Sequence, residues 1–515
     1  MKLGSLKSFF KISGVVFAVS GIICLMFYIL FWDLHVKIAA KNIGSFPLTC
    51  EQRVEDFEYL YNILEGAFPY FEVKKRQYGI DWLARKNEFI NDVSKVGSDG
   101  EFYSLLSEIL SLLQNGHTDI IAPGSEFDGY KEIYQAPRPW SQVFGNTNVN
   151  RCYEYWRTAI NEEGTQSIPV LFKYVGGDYY VYQNSAVPGK ADDEPGIPMG
   201  SRLVEVDGTD VHDYIRSLVN KRILEYDPIR SKFKLNTFSI NTENNTELIF
   251  ITPEGERVRK VFKPSASGRT EVSRSGFPEH LYSAQIIDSG KTAYLKLPSF
   301  ASSYVRKDRE GIRTFLEQIR NYQTLIVDIR GNGGGSTDYW MDNIVPLLTD
   351  KTLSTKNYLL FRDSEYIKPF IKQKMFAGCF SLKAVKDLSF DKGTPSVYSE
   401  YGEARRSVSE SVTYDGYENG FYEELDYIVE PLDPVGFRGK IFLLVDDKVY
   451  SSAEAFASFA KATGWAVLIG TRTGGDGIGF DPVPVALPNS GLVIRFPAGM
   501  GLNPDGSINE EAATM

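Results

Sequence analysis

The chain opens with Lys2, Lys7 and Lys11 and then an uncharged run of 21 residues, Ile12 to Trp32, reading ISGVVFAVSGIICLMFYILFW. A helix rising about 1.5 Å per residue crosses the ~30 Å hydrocarbon core of a bilayer in about 20 residues. The run therefore predicts a transmembrane anchor over residues 12–32, because a cleaved signal peptide has a shorter apolar stretch of roughly 7–15 residues. The lysines before it place the tail, residues 1–11, in the cytoplasm. Everything after residue 33 is then extracytoplasmic, on a single-pass protein of the cell membrane. Past the anchor, residues 48–165 begin with helical spacing at Phe57, Leu60, Tyr61 and Leu64, and again at Phe102, Leu105, Leu106, Ile109, Leu110 and Leu113. The second run stops at Gly116, read as a left-handed helix end, with His117 next. Residues 118–165, polar and rich in Gly, Pro and aromatics, read as a connecting loop region.

Over 166–265 the period changes to two. YYVYQNS alternates, GSRLVEVDG ends in an Asp-Gly turn, and TELIFITPEGERVRKVF reads as a hairpin. From 285 to 515 strands and helices take turns. TAYLKLPSF precedes a helix over about 308–320, then comes TLIVDI and a helix from about Ser336 to Leu348. GKIFLLVDD leads to helix SAEAFASFAKA and strand WAVLIG. This order predicts an α/β core with a mostly parallel sheet covered by helices. Residues 362–435, charged and aromatic, read as a surface insertion into it.

Composition narrows the chemistry. Among 515 residues there are 56 Lys and Arg against 66 Asp and Glu, a net charge of −10, which argues against nucleic acid as the main partner. The four cysteines (Cys24, Cys50, Cys152, Cys379) and four histidines (His35, His117, His212, His280) lie far apart. Neither set has metal-ligand spacing, so no metal and no cofactor are expected.

Two strand–loop–helix corners stand out. The first is Asp328-Ile329-Arg330-Gly331-Asn332-Gly333-Gly334-Gly335-Ser336. Consecutive glycines let backbone N–H groups approach a ligand and face developing negative charge, although a tight turn with a cap at Ser336 also fits. The glycines do not spell G-x-G-x-x-G, so dinucleotide binding is disfavoured. The second corner is Tyr450-Ser451-Ser452-Ala453-Glu454, where Ser451-x-x-Glu454 has the spacing of a capping box. A serine at such a corner is equally placed as a nucleophile, with helix amides favouring an oxyanion.

Together the corners resemble the carboxyl-terminal processing peptidases, or tail-specific proteases. LIVDIRGNGGG matches their D-x-R-x-N-x-G-G strand end, YSSAEAFA their nucleophile corner, and GTRTGG their G-x-x-T-x-G turn. The resemblance implies a crotonase-like (ClpP/crotonase) core and a serine-type peptidase acting on proteins or peptides. It makes Ser451 the nucleophile, with oxyanion donors at Ser452 and Gly334. One branch of the family uses a lysine base after the turn, where this chain has Asp476. The other branch, resembling the tricorn-protease core, draws a histidine from the amino-terminal helical region, and His117 in LLQNGHTDI fits that pattern. That branch also has a glutamate near the carboxyl end, which implies Glu510 as the histidine's partner. GIPMGSRLVEVDG, within 166–265, resembles a PDZ-like domain, a module that binds peptides by their carboxyl ends. The missing lysine leaves one alternative, a catalytically silent peptide-binding scaffold on the same fold.

Overall fold

The computed structural model describes residues 46–159 except Pro137, then 165–167, 170–184, 197–217, 225–227, 232–234, 239–241, 245–262, 278–378, 381–388 and 419–514, with isolated residues 35, 36, 38, 230 and 417. The tail 1–11 and the expected anchor 12–32 lie outside these. Among the described residues no helix is long and apolar enough to cross a membrane.

The alternation after residue 285 builds a five-stranded sheet ordered Ser283–Asp288, Thr292–Lys296, Thr324–Asp328, Lys440–Val445, Val467–Gly470. The first pairing is antiparallel and the other three are parallel. Helices Val305–Gln318 and Ser452–Thr463 bury Ile312, Leu316, Ala453, Phe456 and Ala460 against Leu295, Leu325, Val327 and Leu443. Parallel strands need such crossovers, and the crossovers leave both corner loops at the carboxyl ends of neighbouring strands.

The amino-terminal helices Cys50–Ala67, Phe71–Tyr78, Lys86–Lys95 and Asp99–Ser111 do not form a core of their own. Phe57, Leu60, Phe68, Phe102 and Leu106 share one apolar cluster with Leu359, Val485, Ile494 and Phe496. Just past His117, strand Asp119–Ile120 pairs antiparallel with Val493–Phe496, and Asp119 takes a two-pronged ion pair from Arg495. The helical region is thereby fixed to the body of the protein on both sides of the histidine. A third cluster, with Tyr179, Leu203, Val206 and Phe250, belongs to a six-stranded antiparallel sheet within 166–265.

Three expectations need correction. Residues 118–165 are largely helical, over Ser125–Ile133, Trp140–Phe144 and Thr147–Ala159. Their aromatics make the core: Phe127 stacks on Tyr153 at 3.7 Å and Tyr134 on Phe144 at 5.6 Å. The stretch 362–435 is not simply a surface insertion, since strand Phe421–Val429 pairs with Leu353–Phe361 along its whole length. Gly116 is also no left-handed stop; Gln114 takes that conformation, at φ 44°. A Cβ at 116 would come within 3.1 Å of the Tyr450 ring, which would have to yield by a few tenths of an ångström.

Candidate active site

The first corner is folded by its own motif residues. Asp328 accepts from the Arg330 backbone N–H at 2.9 Å, from its guanidinium at 2.9 and 2.6 Å, and from Tyr294 Oη at 2.6 Å. These partners overcome burial and hold the carboxyl well below its ordinary range. Asn332 donates to Leu297 O at 2.9 Å and accepts from Gly334 N–H at 2.8 Å. Its carbonyl accepts from Tyr450 N–H at 3.2 Å, joining this corner to the second. Asp446 adds another staple by accepting from Gly331 N–H at 2.9 Å.

At the second corner Ser451 occupies the N-cap position of helix Ser452–Thr463 with φ 55° and ψ −128°, and its side chain makes no capping hydrogen bond. A non-glycine residue in that region is strained by about 1–3 kcal/mol and persists only where neighbours enforce it. The neighbours are close: a Cβ on Gly334 would lie 2.8 Å from Ser451 Cβ and 2.9 Å from Ser452 N. No capping box forms here. Glu454 turns inward, accepting from Asn509 Nδ2 at 2.9 Å and Thr514 Oγ1 at 2.6 Å.

Burial pushes the Glu454 carboxyl up to about 7. The folded state therefore binds a proton that the unfolded chain releases near pH 4.5, so this group's contribution to stability is lost as pH rises from about 4.5 through 7. In Glu454→Gln that loss should disappear. The stability of the variant relative to the parent should grow by about 3 kcal/mol between pH 4.5 and 8, read from denaturant midpoints.

His117 reaches this place from the helical region. Its ring centroid lies 4.9 Å from that of Tyr450, the residue before Ser451. Its Nδ1 is 2.8 Å from Asp476 Oδ2. Asp476 follows the G-x-x-T-x-G turn, which is held by a bridge from Gly475 to Tyr450 and a 2.8 Å hydrogen bond from Gly474 N–H to Val449 O. The buried carboxylate also accepts from Tyr70 Oη at 2.7 Å, Asn115 Nδ2 at 3.0 Å and Tyr450 Oη at 3.1 Å. Burial would raise its pKa, but the hydrogen bond and charge of His117, with those other donors, hold it below the ordinary value.

The five expected site residues thus gather around this place, Ser451, Ser452, Gly334 and His117 at its centre and Glu510 behind Asn115. Two expected roles change with the geometry. Glu510 does not touch the imidazole; it accepts from Lys74 Nζ at 2.5 Å and Asn115 Nδ2 at 3.1 Å, because Asp476 already occupies the histidine's side of the pocket. The Gly334 N–H is taken by Asn332, so its part is close packing under Ser451. The sequence reading missed Asp476 as a partner for His117, along with Asn115, Tyr70, Tyr450 and Lys74. Its one usable signal was position: Asp476 stands where a base on the turn would face the nucleophile.

In a fold comparison mature CPAF is similar, at TM-score 0.55 and 14% identity, covering 90% of this chain and 92% of that one. Mature CPAF complexed with lactacystin gives 0.54 and 15% over 90% and 92%. The photosystem II D1 C-terminal processing protease is a weaker likeness, at 0.41 and 14% over 90% and 91%. No curated protein matches the chain in sequence at a significant level. The pattern that defines peptidase family S41 matches residues 291–513, from the first parallel strand through both corners to Glu510. Residues 291–513, which hold both corners, thus resemble a peptidase family S41 domain, a likeness that supports a serine-type peptidase.

Proposed function

We propose that the protein is a membrane-anchored, extracytoplasmic serine peptidase that cleaves proteins or peptides through an acyl-enzyme. One observation carries the reading: Ser451 is held at positive φ with no capping bond, and the residue before it, Tyr450, packs on an imidazole whose Nδ1 is fixed on a buried carboxylate. With Nδ1–H donating to Asp476, Nε2 is the nitrogen that accepts a proton. Ser451 Oγ attacks the scissile carbonyl carbon as His117 Nε2 takes its proton. The oxyanion that forms faces the Ser452 N–H at the helix start. The C–N bond then breaks, the leaving amine takes the proton from Nε2, and water activated by His117 releases the acyl group.

The finer architecture belongs to the same proposal: a crotonase-like core, and a PDZ-like unit at 166–265 that receives substrate by carboxyl ends. Its antiparallel strands and its position in the chain support that reading. The apolar run 12–32 supports the anchor.

The test is labelling of residues 33–515 with a fluorophosphonate, followed by peptide mapping. An adduct on Ser451 that disappears in His117→Ala supports the mechanism. A folded protein that binds peptides and takes no label is a silent scaffold instead. Gly334→Ala offers an independent check. Its methyl would meet Ser451 Cβ at 2.8 Å and Tyr450 O at 2.9 Å at φ 102°. Labelling should fall at least tenfold and the melting temperature should drop. Gly331→Ala, where nothing lies within 4 Å, carries only the strain of its φ of 79° and should label normally.

A further inference from the structure

Behind the His117–Asp476 pair lies a second buried pair that the mechanism does not use. Lys74, on helix Phe71–Tyr78, has a side chain only 3% exposed and places Nζ 2.5 Å from Glu510 Oε1, whose side chain is 4% exposed. The amide of Asn115 donates to both carboxylates, reaching Asp476 Oδ2 at 3.0 Å and Glu510 Oε1 at 3.1 Å. Asn115 Oδ1 in turn accepts from the His117 backbone N–H at 3.0 Å. The line of charge is therefore imidazole, carboxylate, carboxylate, ammonium.

Burying an ion pair seldom stabilises a fold, since desolvation offsets the attraction. Here the pair has an electrostatic effect on its neighbours. Two carboxylates sharing one amide donor repel, and each would oppose ionisation of the other. Burial and Asp476 push the Glu510 carboxyl up, and Lys74 opposes that push and offsets the Glu510 field at Asp476. We propose that Lys74 is a positioning residue which, through Glu510 and Asn115, sets the pH at which His117 accepts the Ser451 proton. This inference rests on the peptidase reading above.

The groups that face His117 and Asp476 are Tyr70 and Lys74 from the helical region, Asn115, Tyr450, and Glu510 from the carboxyl-terminal helix. The Arg76–Glu511 pair lies further out and is partly exposed. Removing one member of the inner pair therefore leaves an uncompensated charge close to the imidazole.

The experiment measures the rate of fluorophosphonate acylation of residues 33–515 against pH. In Lys74→Met the unpaired Glu510 takes up a proton at low pH and adds its negative field only once ionised, so the acid limb should move to higher pH by up to about one unit. In Glu510→Gln the unpaired ammonium disfavours imidazolium, and the limb should move to lower pH by a similar amount. The double variant should return near the parent, and Lys74→Arg, which keeps the charge, should not move the limb. Slower acylation in both single variants with the limb fixed overturns the proposal, because a purely structural pair would behave that way. If Lys74→Met does not fold, Glu510→Gln and Lys74→Arg still decide it. Failure of the parent itself to acylate would instead sink the peptidase reading, so the two failures are distinct.

Discussion

Ser451→Ala should abolish acylation and turnover while leaving the fold untouched. The side chain makes no capping hydrogen bond, so removing its oxygen orphans no partner. Loss of a functioning N-cap typically costs about 1 kcal/mol, and that penalty should be missing here. Ser451→Gly should go further and raise stability by about 1 kcal/mol, because glycine adopts φ 55° without strain. Denaturant midpoints and probe labelling on the same samples separate the readings. A serine that only capped the helix would lose stability on replacement and keep any activity. A nucleophile does the reverse.

Asp476→Asn should lower the rate about 10⁴-fold, on the scale seen when the buried carboxylate of a serine-protease triad becomes an amide. The asparagine can still meet Tyr70 and Tyr450, so binding and fold should hold. Its amide nitrogen, facing Nδ1, would favour the tautomer that protonates Nε2 and so remove the base. The expected pattern is a fall in kcat with KM little changed. His117→Ala should lose at least as much. Activity that survives His117→Ala and vanishes with Asp476→Ala would instead make Asp476 the base.

Much of this centre was legible because its motifs are local. Asp328, Asn332 and the glycine triplet lie within eight residues, and nearly every hydrogen bond of that corner joins motif members or the adjacent strand. Ser451 and His117 were legible through their neighbours. Asp476, Asn115 and Lys74 were not, because their roles arise only where chain segments hundreds of residues apart meet. Glu510 was placed in the right pocket but given the wrong neighbour, since nothing local distinguishes a carboxylate facing an imidazole from one facing an ammonium. The helices between 125 and 159 were hidden for another reason. Their apolar face is made of Tyr, Trp and Phe spaced among polar residues and breakers, so composition spoke for a loop while aromatic stacking builds a core.

The Lys74–Glu510 contact spans 436 positions of the chain. On the ribosome, Lys74 emerges long before its carboxylate exists, and Thr514, which reaches the Glu454 of the serine helix, follows later still. Until then Lys74 has no Glu510 to meet and Glu454 lacks one of its two hydrogen-bond donors. The cluster around His117 can therefore close only after residue 510 has been made, so its assembly is a late, long-range step of folding.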